Sequence, residues 1–122
     1  MAAAEVLMVD DEPVLLDLMA RYAARSGWRA AKALTAAEAW AMFSETPSRF
    51  PLAIVDLTLP DGSGEELVLR MLRMDPALRV VICTGLPYET DHLPAGIRGR
   101  VSVLMKPFPP SMLGAAFKTA AE

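Results

Sequence analysis

The chain has 122 residues, 53% of them apolar, and a net charge of −3 from 12 basic and 15 acidic side chains. That length and apolar content suit one domain with one buried core, and the acidic balance without a basic run excludes the electrostatic footprint of a nucleic-acid binder. The longest apolar stretches fall short of the roughly 20 residues that a membrane-spanning helix needs, and Val9-Asp10 is not a signal-peptide cleavage site, so a cytoplasmic, soluble single domain over residues 1–122 is expected, without nucleic-acid or membrane partners.

In chain order, Glu5–Val9 is a short apolar run that reads as a strand and ends in Asp10-Asp11. Pro13 opens a helix through about Arg25, with proline suited to the first helical position and Gly27 as its stop. Leu15, Leu18, Met19 and Tyr22 are expected on its inner face, Asp17, Arg21 and Arg25 on its outer one, and Glu12 as its cap. Trp28–Leu34 reads as the second strand. Thr35-Ala-Ala-Glu38 is a capping box that announces a helix to about Ser44, and Pro47 and Pro51 close that unit.

Leu52–Asp56 is a nearly continuous apolar run, as in a central strand covered on both faces. It leads through the loop Leu57–Gly62 to a second capping box, Ser63-Gly-Glu-Glu66, and a helix whose inner residues are Leu67, Val68, Met71 and Leu72; Asp75-Pro76 ends it. Arg79–Cys83 is the fourth strand, followed by Thr84. Pro94, Gly96 and Gly99 predict that any helix within Pro87–Arg100 is short or irregular. Val101–Met105 is the fifth strand, followed by Lys106, and Ser111–Ala121 is a final helix with Met112, Leu113, Ala116 and Phe117 on one side.

Strands alternating with helical segments predict an α/β fold with a parallel sheet, in the flavodoxin-like order 2-1-3-4-5, with helices on both faces. Such sheets bind ligands at the carboxyl ends of their strands, which is where Asp10, Asp11, Asp56, Thr84 and Lys106 fall. Converging carboxylates repel one another, and a divalent cation relieves that repulsion. Mg²⁺ suits this oxygen-only donor set, since it binds through one or two carboxylates and keeps several waters for a phosphate. Asp56 at the switch point is placed to act as a nucleophile on phosphorus, with Mg²⁺ on Asp11 and Asp56, the Lys106 ammonium and the Thr84 hydroxyl neutralising the transferred group. Cys83 is expected to be a buried, inert thiol and His92 a loop residue without chemistry.

Val9-Asp10-Asp11-Glu12, Val55-Asp56-Leu57-Thr58-Leu59-Pro60, Ile82-Cys83-Thr84-Gly85 and Lys106-Pro107-Phe108, in this order and spacing, resemble the motifs of a response-regulator receiver domain (CheY-like) of two-component and phosphorelay signalling. The resemblance covers essentially the whole chain. It implies that Asp56 accepts a phosphoryl group from a histidine kinase or histidine phosphotransfer protein, that Asp11, Asp56 and the Thr58 carbonyl bind Mg²⁺, and that Asp10 holds a metal-bound water. It further implies that Thr84 and Lys106 contact the phosphoryl oxygens and that Lys106-Pro107 is a cis peptide. The domain would catalyse its own phosphorylation and dephosphorylation without being a metabolic enzyme.

In many receivers the residue three before the lysine is an aromatic that swings inward on phosphorylation. Here it is Val103, a stiff β-branched side chain that cannot make that swing. Output would then be weak, with phosphate mainly passed on, or would run through an apolar patch of Met112, Leu113 and Phe117 on the strand 5/helix 5 face that meets another copy or an effector. Core packing explains those three residues more simply. Val14 and Leu16 beside the acidic pocket are expected to contact a phosphodonor. The alternatives are a receiver-fold interaction module that works without phosphate, an aspartyl-phosphate phosphatase and a flavodoxin. The phosphatase would need a second aspartate at Thr58, and the acidic Asp10-Asp11-Glu12 turn would repel the phosphate of a flavin.

Overall fold

The computed structural model describes residues 4–121. Five parallel strands, β1 (Ala4–Val9), β2 (Trp28–Ala33), β3 (Leu52–Asp56), β6 (Arg79–Thr84) and β7 (Val101–Met105), form one sheet in the order β2-β1-β3-β6-β7. This is the expected flavodoxin-like order. Between β3 and β6, two antiparallel two-residue strands, β4 (Thr58–Leu59) and β5 (Gly62–Ser63), form a small hairpin across most of the expected loop Leu57–Gly62.

Alternation along the strands sends consecutive side chains to opposite faces and so makes two cores. Val9, Val55 and Ile82 face one side and pack with Phe43, Phe50, Met71 and Leu72 from α2 (Ala36–Glu45), α3 (Gly64–Met74) and the chain between them. Met8, Ile54 and Cys83 face the other side and meet Leu16 and Met19 of α1 (Pro13–Arg25) and Phe117 of α5 (Gly114–Ala121). Full burial of a phenylalanine such as Phe43 or Phe50 contributes roughly 1.5–3 kcal/mol.

The helices start and stop for identifiable reasons. Pro13 occupies the first turn of α1, and Gly27 beyond its end takes φ 85°, a conformation that costs glycine little. Glu12 stands at the α1 cap position, but its side chain makes no capping bond there. Thr35 Oγ1 accepts the Glu38 N–H at 3.1 Å, and Asp61, at the tip of the β4–β5 hairpin, accepts the Ala36 and Ala37 N–H groups at 2.8 and 2.9 Å. One hydroxyl and one carboxylate therefore cap the start of α2, and the hairpin is held against it. Ser63 Oγ accepts from the Glu65 and Glu66 N–H groups and starts α3. The Arg100 guanidinium closes the other end of α3 by donating to the carbonyls of Leu72, Asp75 and Leu78.

The inner face of α1 differs from the sequence expectation. Leu16, Met19 and Ala23 are buried, whereas Leu18 is exposed and Leu15 and Tyr22 are only half-buried. The spacings three and four from Leu16 fit a helical stripe as well as those from Leu15, and only docking on the sheet decided between them. Leu16, 2% exposed, therefore offers no surface to a phosphodonor, while Val14, 74% exposed, does.

At the other edge, α4 is a single turn, Ala95–Arg98, as the proline and glycines predicted. The expected final helix is split. Its first turn, Pro110–Leu113, is 3-10, and α5 follows. Leu113 and Phe117 are core residues, whereas Met112 is half exposed. Cys83 is buried, and burial pushes its thiol up to about 12.

Candidate functional site

The strand register aligns four strand ends on one edge of the sheet. Val9 pairs with Val55, Asp56 with Cys83, and Thr84 with Met105. The ladders continue one step further, with Asp10 N–H donating to Ala33 O at 3.1 Å, Leu57 N–H to Cys83 O at 2.8 Å and Lys106 N–H to Thr84 O at 2.7 Å. Backbone hydrogen bonds of the sheet, rather than flexible loops, thus position Asp10, Asp56, Thr84 and Lys106.

Lys106 Nζ donates to Asp10 Oδ2 at 2.8 Å and to Asp56 Oδ2 at 3.2 Å, and it lies 3.7 Å from Glu12 Oε1. The remaining oxygens are held by backbone. Asp10 Oδ1 accepts the Glu12 N–H at 2.9 Å, and Asp56 Oδ1 accepts the Thr58 N–H at 3.2 Å. Asp10 and Asp56 are buried and Asp11 is exposed, yet a carboxylate oxygen from each lies within 4.8 Å of the other two.

Burial pushes the Asp56 carboxyl above its ordinary value. The Thr58 N–H acts against that, the Asp10 charge adds to it, and Lys106 offsets it in part. Burial also works against the Lys106 ammonium, but the hydrogen bond and charge of Asp10, with those of Asp56, outweigh it and hold the lysine above its usual range. The cluster therefore keeps a cation beside carboxylates that exceed it in charge, a set of hard oxygen donors suited to a small divalent ion.

The structure brings together Asp10, Asp11, Asp56 and Lys106 as expected. Thr84 ends β6 on the same edge, but its hydroxyl is engaged locally: it accepts the Leu86 N–H and donates to Leu86 O, both at 3.0 Å. The Lys106-Pro107 peptide is cis. His92, read as a plain loop residue, contacts Glu65 Oε1, which also accepts the Tyr88 hydroxyl.

Two site residues escaped the sequence reading. Glu12, which stands at the cap position of α1, sends its carboxylate toward Lys106 rather than to the helix. Gly64 is the first residue of α3 and lies so close to the acidic strand that a Cβ there would sit 2.1 Å from the Asp56 carbonyl oxygen and 2.9 Å from Leu57 Cα. Its N–H donates to Leu57 O at 2.8 Å. A glycine between an N-cap serine and two glutamates is the signal that could have found it, since glycine at a helix start has no local advantage over those neighbours and points to close backbone approach.

Residues 6–118 match the family described as the response regulator receiver domain. The chain is 27% identical over 108 residues to the DNA-binding transcriptional regulator NtrC of Azospirillum brasilense, matching 88% of this chain and 22% of that protein. It is 23% identical over 107 residues to chemotaxis protein CheY of Thermotoga maritima, matching 87% of this chain and 88% of that one. The chain thus spans less than half the length of several curated relatives and most of the length of the Thermotoga maritima CheY. A solved CheY-like receiver domain from Methanospirillum hungatei superposes with a TM-score of 0.81 at 26% identity, over 96% of this chain and 92% of that one. With four strand ends converging on an acidic pocket that fits a phosphoacceptor site, the chain belongs to the response regulator receiver domain family.

Proposed function

We propose that the chain is a single receiver unit that accepts a phosphoryl group on Asp56 from a histidine kinase or a histidine phosphotransfer protein. The observation that carries this is the sharing of the Lys106 ammonium by Asp10 and Asp56 beside Asp11, at the carboxyl edge of a receiver-fold sheet. Receiver domains belong to signalling proteins rather than to a family of metabolic enzymes, and this domain's own catalysis is the transfer onto itself and the later hydrolysis.

In the transfer, an Asp56 carboxylate oxygen attacks the phosphorus of a phosphohistidine. A P–O bond forms, the P–N bond breaks, and its electron pair leaves on the imidazole nitrogen, which takes a proton from solvent. Lys106 offsets charge on the equatorial oxygens, and the Thr84 hydroxyl, on release from Leu86, supplies a further donor. Asp10, Asp11, Asp56 and the Thr58 carbonyl would hold Mg²⁺, for which the three hard carboxylates fit. When bound, the ion supplies neutralising charge for the entering phosphoryl group. Hydrolysis restores the carboxylate as water attacks phosphorus and inorganic phosphate leaves.

The new charge and acceptor oxygens bias a two-state arrangement of the loops at this edge. Val14 at the start of α1 is a candidate phosphodonor contact, and the β7/α5 face, where Met112 is exposed, a candidate surface for an effector or a second copy. A cytoplasmic location accords with this role, and among the described residues no helix is long and apolar enough to cross a membrane.

The test is intact mass after incubation with acetyl phosphate, with and without Mg²⁺, beside Asp56→Asn. A Mg²⁺-dependent gain of one phosphoryl group that the variant lacks is the expected result. No gain under any condition, with a phosphorylated histidine domain as donor included, refutes the reading and leaves a phosphate-independent interaction module.

A further inference from the structure

The segment that replaces a long fourth helix is fastened at one point. Between the end of β6 and the single turn of α4, the Tyr88 hydroxyl donates to Glu65 Oε1, and His92 Nε2 contacts the same oxygen. The Tyr88 and His92 rings meet edge to face at 5.6 Å. Tyr88 packs against the core cluster that α3 helps to form, and Leu93 beside His92 is buried. The bonds from Tyr88 and then His92 hold the Glu65 carboxyl below the usual range, as expected for a carboxylate gripped by two donors.

Both ends of this fastening lead back to the site. Glu65 follows Gly64, whose backbone lies against the Asp56 carbonyl. Tyr88 lies two residues beyond Leu86, whose backbone engages the Thr84 hydroxyl from both sides. While the loop is held, the hydroxyl that a phosphoryl group would recruit is already in use.

We infer that Glu65, gripping Tyr88 and His92, is a positioning residue: a latch that holds the β6–α4 loop in the arrangement where Leu86 retains Thr84, and that must release for the phosphorylated state to form. This rests on the phosphoacceptor reading of Asp56. One side chain bridges the helix behind the acceptor and the loop whose Leu86 engages the Thr84 hydroxyl, so the two arrangements differ in discrete hydrogen bonds, as a switching element requires. Removing the latch shifts the loop population toward release, and a ligand or a modification that needs the released state is then met more often.

The experiment compares acetyl phosphate uptake with Mg²⁺ by the intact chain, Glu65→Ala, Glu65→Gln and Tyr88→Phe, with amide hydrogen exchange of the same proteins. Glu65→Ala is expected to accept phosphate roughly two- to tenfold faster, the factor that one net hydrogen bond supplies, and to exchange the amides of residues 86–93 faster. Glu65→Gln keeps an oxygen acceptor and should restore the uptake rate to within about twofold of the parent. Tyr88→Phe, which removes one hydroxyl and leaves the packing, should lie between. Uptake by the parent with an unchanged or slower rate in both Glu65→Ala and Tyr88→Phe overturns the latch alone. No uptake by the parent overturns the latch together with the function on which it rests.

Discussion

Replacing Gly64 by alanine adds one methyl group where α3 begins, and the structure determines what that methyl meets. An ideal Cβ at this position lies 2.1 Å from the Asp56 carbonyl oxygen, 2.9 Å from Leu57 Cα and 3.0 Å from the Asp56 carbonyl carbon, all of them backbone atoms that cannot rotate aside. Restoring ordinary contact moves the first turn of α3 by about 1 Å, at the 1–3 kcal/mol typical of overpacking. That movement also stretches the 2.8 Å bond from the Gly64 N–H to Leu57 O, at about 1 kcal/mol. The gain in helix propensity, at most about 1 kcal/mol, offsets part of this. A net loss of roughly 1–3 kcal/mol lowers Tm by about 4–12 °C for a domain of this size. Thermal and urea unfolding of Gly64→Ala, with Gly96→Ala as control, measure it. A Cβ at Gly96 meets nothing within 4 Å, so that variant should lose no stability and gain at most the same helix propensity, about 1 kcal/mol. A Tm for Gly64→Ala within about 3 °C of the parent would falsify the reasoning that α3 is seated directly on the acceptor strand.

Four other substitutions have expected outcomes. Asp56→Asn should raise the stability of the metal-free protein at pH 7, because burial raises the native carboxyl's pKa above its unfolded value. The native state then binds more protons than the unfolded one between those two values, stability falls as pH rises through them, and the amide has no such loss. The advantage of Asp56→Asn in EDTA should therefore shrink toward acid pH, and a parent more stable than the variant at pH 7 would contradict it. Lys106→Met leaves the buried Asp10 without its 2.8 Å partner and should cost about 3 kcal/mol in EDTA, part of it recovered by Mg²⁺; equal urea midpoints for variant and parent would count against the shared-cation geometry. Leu16→Ala should cost roughly 2–5 kcal/mol by opening a cavity under α1, while Val14→Ser should leave stability within about 0.5 kcal/mol and slow transfer from a phosphohistidine domain but not from acetyl phosphate. Equal slowing with both donors would remove Val14 from the docking surface.

Much of the molecule was legible in the residues because its signals are local. Apolar runs of five or six residues separated by helical spacing specify parallel strands, and Thr35 and Ser63 cap the helices that their sequences announce. The acidic and basic residues at the strand ends had to share an edge once the strands were parallel, so Asp10, Asp11, Asp56 and Lys106 followed from topology alone. The irregularity before β7 followed from Pro94, Gly96 and Gly99, which disfavour helix wherever they stand. What the tertiary structure decided are the features for which the sequence offers equal local choices. Leu15 and Leu16 both start an acceptable helical stripe, and only packing against the sheet buries Leu16. Glu12 is a plausible cap until Lys106, far along the chain, lies within reach of its carboxylate. Gly64 is unremarkable until the Asp56 carbonyl lies where its side chain would be, and Glu65, Tyr88 and His92 have no relation until the fold brings a loop over α3. Propensity and periodicity act over a few residues, whereas these contacts join segments separated by tens of residues, so only the folded chain could define them.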